Sequence, residues 1–498
     1  MDLFFNAHIY TEKKLQEDLG FLTVKDGVIH EIHTGLPSKD LLDTCTQKWD
    51  CEGEWLLPGF VDTHVHFRDA GQKVKETVQS GTLGALCGGI TTVLSMPNTQ
   101  PPLSTPEALD SYLELIGQQS LFCNFGFYTG IKEEFDPSRI ASLTERGIFG
   151  IKVYPGDGSD QLSLDWNDGW KTDMLPEKFR TDLPTILTHF QKTYDHWETL
   201  FTLAKKHDLP LIFHPELPRT PEMLLRIWKE GLTIAQLEQS TNPELYAHNV
   251  QHPIYTNELA HVEMVIAFIH KICPTPEKAP HLHFAHVSSS DAVTVIEMLL
   301  KEKGYPCSIE VTPHHMLLNY NLDLHGHPAS YGKVLVPLRA PDKQEQMLKI
   351  VQSQRQDTIG TDHAPHTKEE KDQEFLSAPS GFPYIDFATQ ILLTKVHAGI
   401  LPLSTVVNTY ATNPAQIFNI ANKGQIKPGH DADLVRVSKV DPYPLDPTSS
   451  RSKQKWTPWE GMDLTAKITQ VWLKGTLGYD GSTEKTEPHG ELIRPAPK

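Results

Sequence analysis

Nowhere does the chain hold an apolar run long enough to span a bilayer, and Met1 to Tyr10 has no basic stretch leading into apolar residues. Neither a transmembrane helix nor a secretory leader is therefore expected. Positive charge is scarce: 45 Lys and Arg stand against 63 Asp and Glu, a formal net charge of −18. That balance argues against a nucleic acid or an anionic membrane held by bulk electrostatics. A small anionic ligand would need a local basic pocket set in an acidic surface. Cysteine is sparse too, 6 residues with no CxxC spacing, and Cys87, Cys123 and Cys307 lie in or beside apolar segments. Reduced thiols in a cytoplasmic protein are the expectation. No glycine-rich phosphate turn follows an early strand, which disfavours a doubly wound nucleotide-binding sheet.

What the chain does have is a strand-then-helix rhythm. Candidate strands are Gly59–His66, Ile90–Met96, Leu121–Tyr128, Phe149–Tyr154, Leu209–His214, Leu282–His286, Ser308–Thr312 and Thr358–Asp362. Helical stretches such as Thr105–Gln119, Asn257–Ile272 and Lys343–Gln354 lie between them. Eight strands alternating with helices predict an α/β fold, a closed (β/α)8 barrel of the TIM type. The flanks are different in character, with short strand-like pieces at Leu3–Ile9, Phe21–Lys25 and Val28–His33, and again at Ala432–Val437 and Ile468–Leu473. They predict one small β-sandwich built by both termini, giving residues 1–57 as its first part, 58–423 as the barrel and 424–498 as its second part and tail. Two stretches, 155–193 and 218–253, look inserted. They read as surface elaboration or an interface, with a lid over the site as the alternative.

The chemistry collects at strand ends. In Pro58-Gly-Phe-Val-Asp-Thr-His-Val-His-Phe-Arg-Asp69, His64, His66 and Arg68 share a face if the strand stays extended. Two imidazoles side by side are half a metal site, and an arginine beside them is a bidentate carboxylate clamp. Lys152 lies within the apolar strand Gly-Ile-Lys-Val-Tyr, where an ammonium is costly unless paired or neutralised. One reading is a lysine ion-paired at the barrel mouth. The other is an amine of lowered pKa that captures carbon dioxide and bridges two metal ions as its carbamate. His214 ends Leu-Ile-Phe-His, His286 ends His-Phe-Ala-His, and Asp362 ends Thr-Ile-Gly-Thr-Asp, with His366 just beyond. His281 and His283 form a second H-x-H of opposite strand parity to His286, which is preferred for its place at the C-terminal edge, where barrel sites are built.

The segments PGFVDTHVHFRD, TTVLSMPNT, GIKVYP, HFAHVSS, EVTPHH, TDHAPHTKEEK, the GFP at Gly381 and the tail GQIKPGHDADLV together resemble the dihydroorotases of the amidohydrolase superfamily, over nearly the full length. The resemblance implies reversible interconversion of N-carbamoyl-L-aspartate and L-dihydroorotate in de novo pyrimidine biosynthesis. It implies a buried metal held by His64 and His66, a more exposed one held by His214 and His286, and Lys152 bridging them as its carbamate. Asp362 would ligate the first metal and move protons. Arg68, Asn98 and His366 would bind the substrate carboxylate, with Glu310, His314 and His315 in support. Imidazole, carbamate and carboxylate ligands around an open position suit two zinc ions. A homodimer and association with other pyrimidine-pathway enzymes are further expectations. The chain departs from the family where Leu335-Val336-Pro337-Leu338-Arg339 replaces the common Asn-Pro-Pro-Leu-Arg, removing an asparagine before the eighth strand. An allantoinase or dihydropyrimidinase, using the same cage on another cyclic amide, is the rival enzyme. A non-catalytic scaffold of the same fold is the rival from another class.

Overall fold

The computed structural model describes residues 1–131, 139–155, 163–164, 197–217, 221–482 and 486–496. Its centre is a parallel barrel whose strands are Phe60–Val65, Ile90–Ser95, Asn124–Phe127 continuing as Thr129–Gly130, Ile151–Pro155, Leu211–Phe213, Leu282–Phe284, Cys307–Val311 and Thr358–Ile359. Each is paired in parallel with the next. The ring closes where Val65 bridges to His363 and the His66 N–H donates to the His363 carbonyl at 2.8 Å. Phe60–Val65 and Ile90–Ser95 are buried at every position, as expected of strands covered on both faces. The intervening helices start on hydroxyl caps: Thr77 before Val78–Cys87, Thr105 before Pro106–Gly117 and Ser289 before Ser290–Ile296.

Several strands are shorter than their sequence predicts, and two of them stop before a candidate ligand. The ladder stops at Phe284 rather than His286, and at Ile359 rather than Asp362. The cause is backbone conformation: His286 (φ 36°) and Asp362 (φ 50°) are both left-handed, and that breaks strand pairing. Non-glycine residues held there cost on the order of 1–3 kcal/mol each and cluster at functional sites. Gly360, between the last paired residue and Asp362, is required by space. A Cβ there would lie 2.5 Å from the Glu310 carboxylate and 3.0 Å from the Cβ of His64.

Both termini enter one nine-stranded sheet. Asp2–Thr11 pairs with Gly20–Lys25 and with Trp55–Pro58, which in turn pairs antiparallel with Leu434–Pro444, Leu57 opposite Val435. Phe4, Ile9, Leu22 and Leu56 from the front of the chain share a core with Leu434 and Trp472 from the back. Between Leu434–Pro444 and Asp463–Leu473 the chain runs over the barrel and buries Trp456 and Trp459 beside Tyr331, Phe382 and Tyr384. Of the two inserted stretches, residues 156–162, 165–193 and 218–220 lie outside the described residues. The second forms the helices Pro221–Leu237 and Pro243–Gln251. Among the described residues no helix is long and apolar enough to cross a membrane.

Candidate metal centre

The first barrel strand ends by delivering two imidazoles to one carboxylate. His66 Nε2 lies 2.9 Å from Asp362 Oδ1, and His64 Nε2 lies 3.3 Å from the same atom. These three residues each offer a ligand atom, all within 4.8 Å of one another. The other nitrogen of each ring is engaged, His64 Nδ1 with Glu310 Oε1 at 2.6 Å and His66 Nδ1 with Asn98 Oδ1 at 2.7 Å. Both rings therefore turn Nε2 towards Asp362, the orientation that outer hydrogen bonds impose on metal-binding histidines. Across the barrel, His214 Nδ1 stands 2.9 Å from His286 Nε2, while His214 Nε2 is engaged with Glu216 Oε2 at 2.6 Å. Lys152, paired in register with Gly130 and Ile212, is 4 % exposed.

All six residues line one cavity of about 680 Å3, and Arg68, Asn98 and His366 line it as well. Arg68 Nη2 lies 3.1 Å from His366 Nε2. Leu335, where the sequence reading noted the loss of an asparagine, is on the same wall, and its side chain has no hydrogen-bonding group. His281 and His283 both engage Ser308 Oγ at 2.7 Å.

The electrostatics favour cation binding. Burial alone raises the Asp362 carboxyl, but His64 and His66 outweigh it and hold the group below the usual carboxylate range. Burial pushes the His66 imidazole down to about 4 against the pull of Asp362, and holds His286 well below its ordinary range with help from His214 and Lys152. A neutral imidazole such as His66 beside an ionised carboxylate is a metal donor. His64 Nε2 and His286 Nδ1 are buried and have no hydrogen-bond partner among the described atoms, so the donor set fits a metal.

Three groups, Glu216, His252 and Asn257, escaped the sequence reading. Glu216, two residues after His214, accepts from His252 Nδ1 at 2.8 Å and Asn257 Nδ2 at 3.0 Å, so a buried network anchors His214 from behind. The spacing His-Pro-Glu was a usable signal, since alternate residues of an extended segment share a face. His252 and Asn257 had no such signal. The second inserted stretch also borders the cavity, through Leu224, Leu225, His248 and His252. The surface-elaboration reading of that stretch is therefore corrected: its helices form part of the wall. Glu310 bonds the His286 N–H at 3.0 Å as well as His64, tying both histidine pairs to one carboxylate. His314 meets the Tyr384 hydroxyl at 3.1 Å, and His315 sits between Thr312 Oγ1 and the Val336 carbonyl.

His315 has a consequence for acid stability. Burial pushes its imidazole down to about 4, whereas the unfolded chain takes up that proton at about 6.5. The unfolded state therefore binds more protons between these values, and stability present above 6.5 is lost as pH falls towards 4. His315→Gln is expected to be less stable near neutrality but to lose less between about pH 7 and pH 4.5. Urea midpoints across that range check it. Parallel curves for the two proteins would exclude His315 as a source of the acid limb.

The sequence profile of the amidohydrolase family matches residues 55–478. The chain belongs to the amidohydrolase family. This amidohydrolase is 30% identical to the dihydroorotase of Halobacterium salinarum, over 86% of this chain and 87% of that one. It is 30% identical to the dihydroorotase of Methanosphaera stadtmanae over 93% and 94%. Among solved structures it superposes on the L-hydantoinase (dihydropyrimidinase) of Arthrobacter aurescens with a TM-score of 0.82 at 20% identity, covering 99% of both chains. On the D-hydantoinase (dihydropyrimidinase) of a Thermus species the TM-score is 0.78 at 22% identity. These neighbours share the barrel with its added β-sandwich.

Proposed function

We propose that this amidohydrolase is a dihydroorotase, closing N-carbamoyl-L-aspartate to L-dihydroorotate and opening it again. One observation carries the reading: Arg68, Asn98 and His366 line the same cavity as six metal-type ligands, in a chain whose curated relatives are dihydroorotases. Dihydroorotate has a ring carboxylate next to a hydrolysable amide, and that pairing matches a guanidinium beside a metal centre. His64 and His66 would hold one zinc ion with Asp362, and His214 and His286 the other, with Lys152 between them as its carbamate. Two such cations supply a water of lowered pKa and polarise the scissile carbonyl.

The chain's own groups do the rest. Asp362, kept ionised by His64 and His66, takes a proton as water adds to the amide carbonyl. It returns that proton to the ring nitrogen as the C–N bond breaks, leaving a carboxylate and a ureido group. Ring closure runs the same transfers backwards, with Asp362 accepting the ureido proton. Arg68 orients the ring carboxylate with two parallel hydrogen bonds. Asn98, bonded to His66, sets the ring of that histidine and borders the same subsite.

The test is turnover of metal-loaded protein on both compounds. Two metal ions per chain with no turnover of either would overturn the reading. Arg68→Met should lower kcat/KM for dihydroorotate by roughly 30- to 1000-fold, the loss of one partner of a charge-assisted pair. Any rate on dihydrouracil, the same ring without the carboxylate, should barely change. Equal fractional losses on the two would mean that Arg68 supports the metal site or the fold instead.

A further inference from the structure

His366 is held between two cations. Arg68 Nη2 is 3.1 Å from its Nε2, and Lys75 Nζ is 3.2 Å from its Nδ1. Guanidinium and ammonium are donors only, and a neutral imidazole has one N–H and one lone pair. The conflict is resolved by Glu370, which follows one turn later. Its Oε2 lies 3.5 Å from His366 Nδ1, and its Oε1 lies 2.9 Å from Lys75 Nζ. With the proton on Nδ1, the N–H points towards Glu370, Lys75 is satisfied by the same carboxylate, and the Nε2 lone pair receives Arg68. With the proton on Nε2, Nδ1 would accept from Lys75, but an N–H would face the guanidinium and a lone pair would face the Glu370 oxygen, two opposed contacts against one favourable one.

We infer that Glu370 fixes His366 as the Nδ1–H tautomer, so that His366 serves the substrate carboxylate by aiming Arg68, and that Glu370 and Lys75 are positioning residues of this clamp. The substrate side of the inference rests on the dihydroorotate reading; the tautomer does not. Three further observations agree. Burial, with Arg68 next in effect, holds the His366 imidazole well below its ordinary range, so the ring is neutral. Bonds from His366 and Lys75 hold Glu370 at about 2 in spite of its burial, so its carboxylate is available as an acceptor. The backbone is anchored separately: Trp456 Nε1 donates to the His366 carbonyl at 2.8 Å, and Glu370 closes a capping box with Thr367. Lys75 and Glu370 neutralise each other, leaving the guanidinium of Arg68 to match one carboxylate.

The experiment has two arms on metal-loaded protein. Calorimetry measures orotate, which carries the ring carboxylate, against uracil, which does not; 15N chemical shifts of labelled histidine report which nitrogen of His366 bears the proton. Glu370→Ala should weaken orotate and raise KM for dihydroorotate by about tenfold, the worth of one displaced charge-assisted bond. It should leave kcat within about threefold and uracil unchanged. Glu370→Gln should recover most of the loss, because its amide oxygen accepts the same N–H. In an Arg68→Met background Glu370→Ala should cost nothing further, since both act through one group. Unchanged orotate affinity in Glu370→Ala, equal losses on orotate and uracil, or a wild-type His366 protonated on Nε2 would each overturn the inference. The shift measurement needs no variant, so it decides the matter even if Glu370→Ala does not fold. Loss of orotate discrimination in Glu370→Ala, in a protein that never turns over dihydroorotate, would sink the substrate reading and leave this one standing.

Discussion

Lys152→Ala is expected to lose most of its metal and, with it, turnover by on the order of a thousandfold, because a bridging anion and the cations it holds contribute several kcal/mol together. The argument starts from burial. Lys152 is 4 % exposed, on a strand between Gly130 and Ile212, and close enough to His286 to depress that imidazole. A bare ammonium there would repel two bound cations, whereas a carbamate would neutralise part of their charge and offer two oxygens. The alanine variant leaves that space open, so short carboxylic acids should restore part of both metal and rate. Metal content by mass spectrometry and turnover with and without added acid measure this. Incorporation of 13C from labelled bicarbonate gives a second, activity-free readout. Full metal occupancy with an unchanged rate in Lys152→Ala would sink the carbamate.

Asp362→Asn is the second large effect and separates chemistry from folding. The asparagine keeps the volume and one oxygen facing the histidine pair, but cannot carry a proton. General acid–base catalysis contributes about 100- to 10,000-fold, and a fall in kcat of that size is expected. Folding should survive for a specific reason. Asp362 sits at φ 50°, a left-handed conformation that asparagine adopts more readily than most residues. Thermal midpoints of the two proteins should therefore agree closely. Retention of more than about a tenth of wild-type kcat, a loss under about 1.4 kcal/mol, would show that Asp362 is not the essential proton carrier.

The barrel was legible because its signals are local. Apolar strand segments with β-rich composition, separated by helices that open on Thr or Ser caps, recur along the middle of the chain. The terminal strands declared themselves as short strand-like pieces at both ends. The candidate ligands were legible for a related reason. A histidine or lysine at the end of an apolar strand violates the composition around it, as His64, Lys152 and His214 do, and their gathering on one cavity follows from barrel closure.

Other features were out of reach. His64 and Glu310 are 246 residues apart, and Lys75 and His366 are 291 apart, yet they meet at 2.6 and 3.2 Å. The strand boundaries at His286 and Asp362 were misplaced, because nothing in their neighbours announces a left-handed backbone. The inserted stretch read as surface elaboration or an interface, with a lid as the alternative, and its helices Pro221–Leu237 and Pro243–Gln251 contribute Leu224 and His248 to the wall of the cavity. By itself, then, the sequence determined the period of each segment, the strand-end positions of its polar groups and the chemical types available there. Tertiary structure alone decided which acceptor faces each imidazole, and hence where its proton sits. Those pairings depend on ring closure between residues hundreds of positions apart, and local composition carries no record of a distance that closure sets.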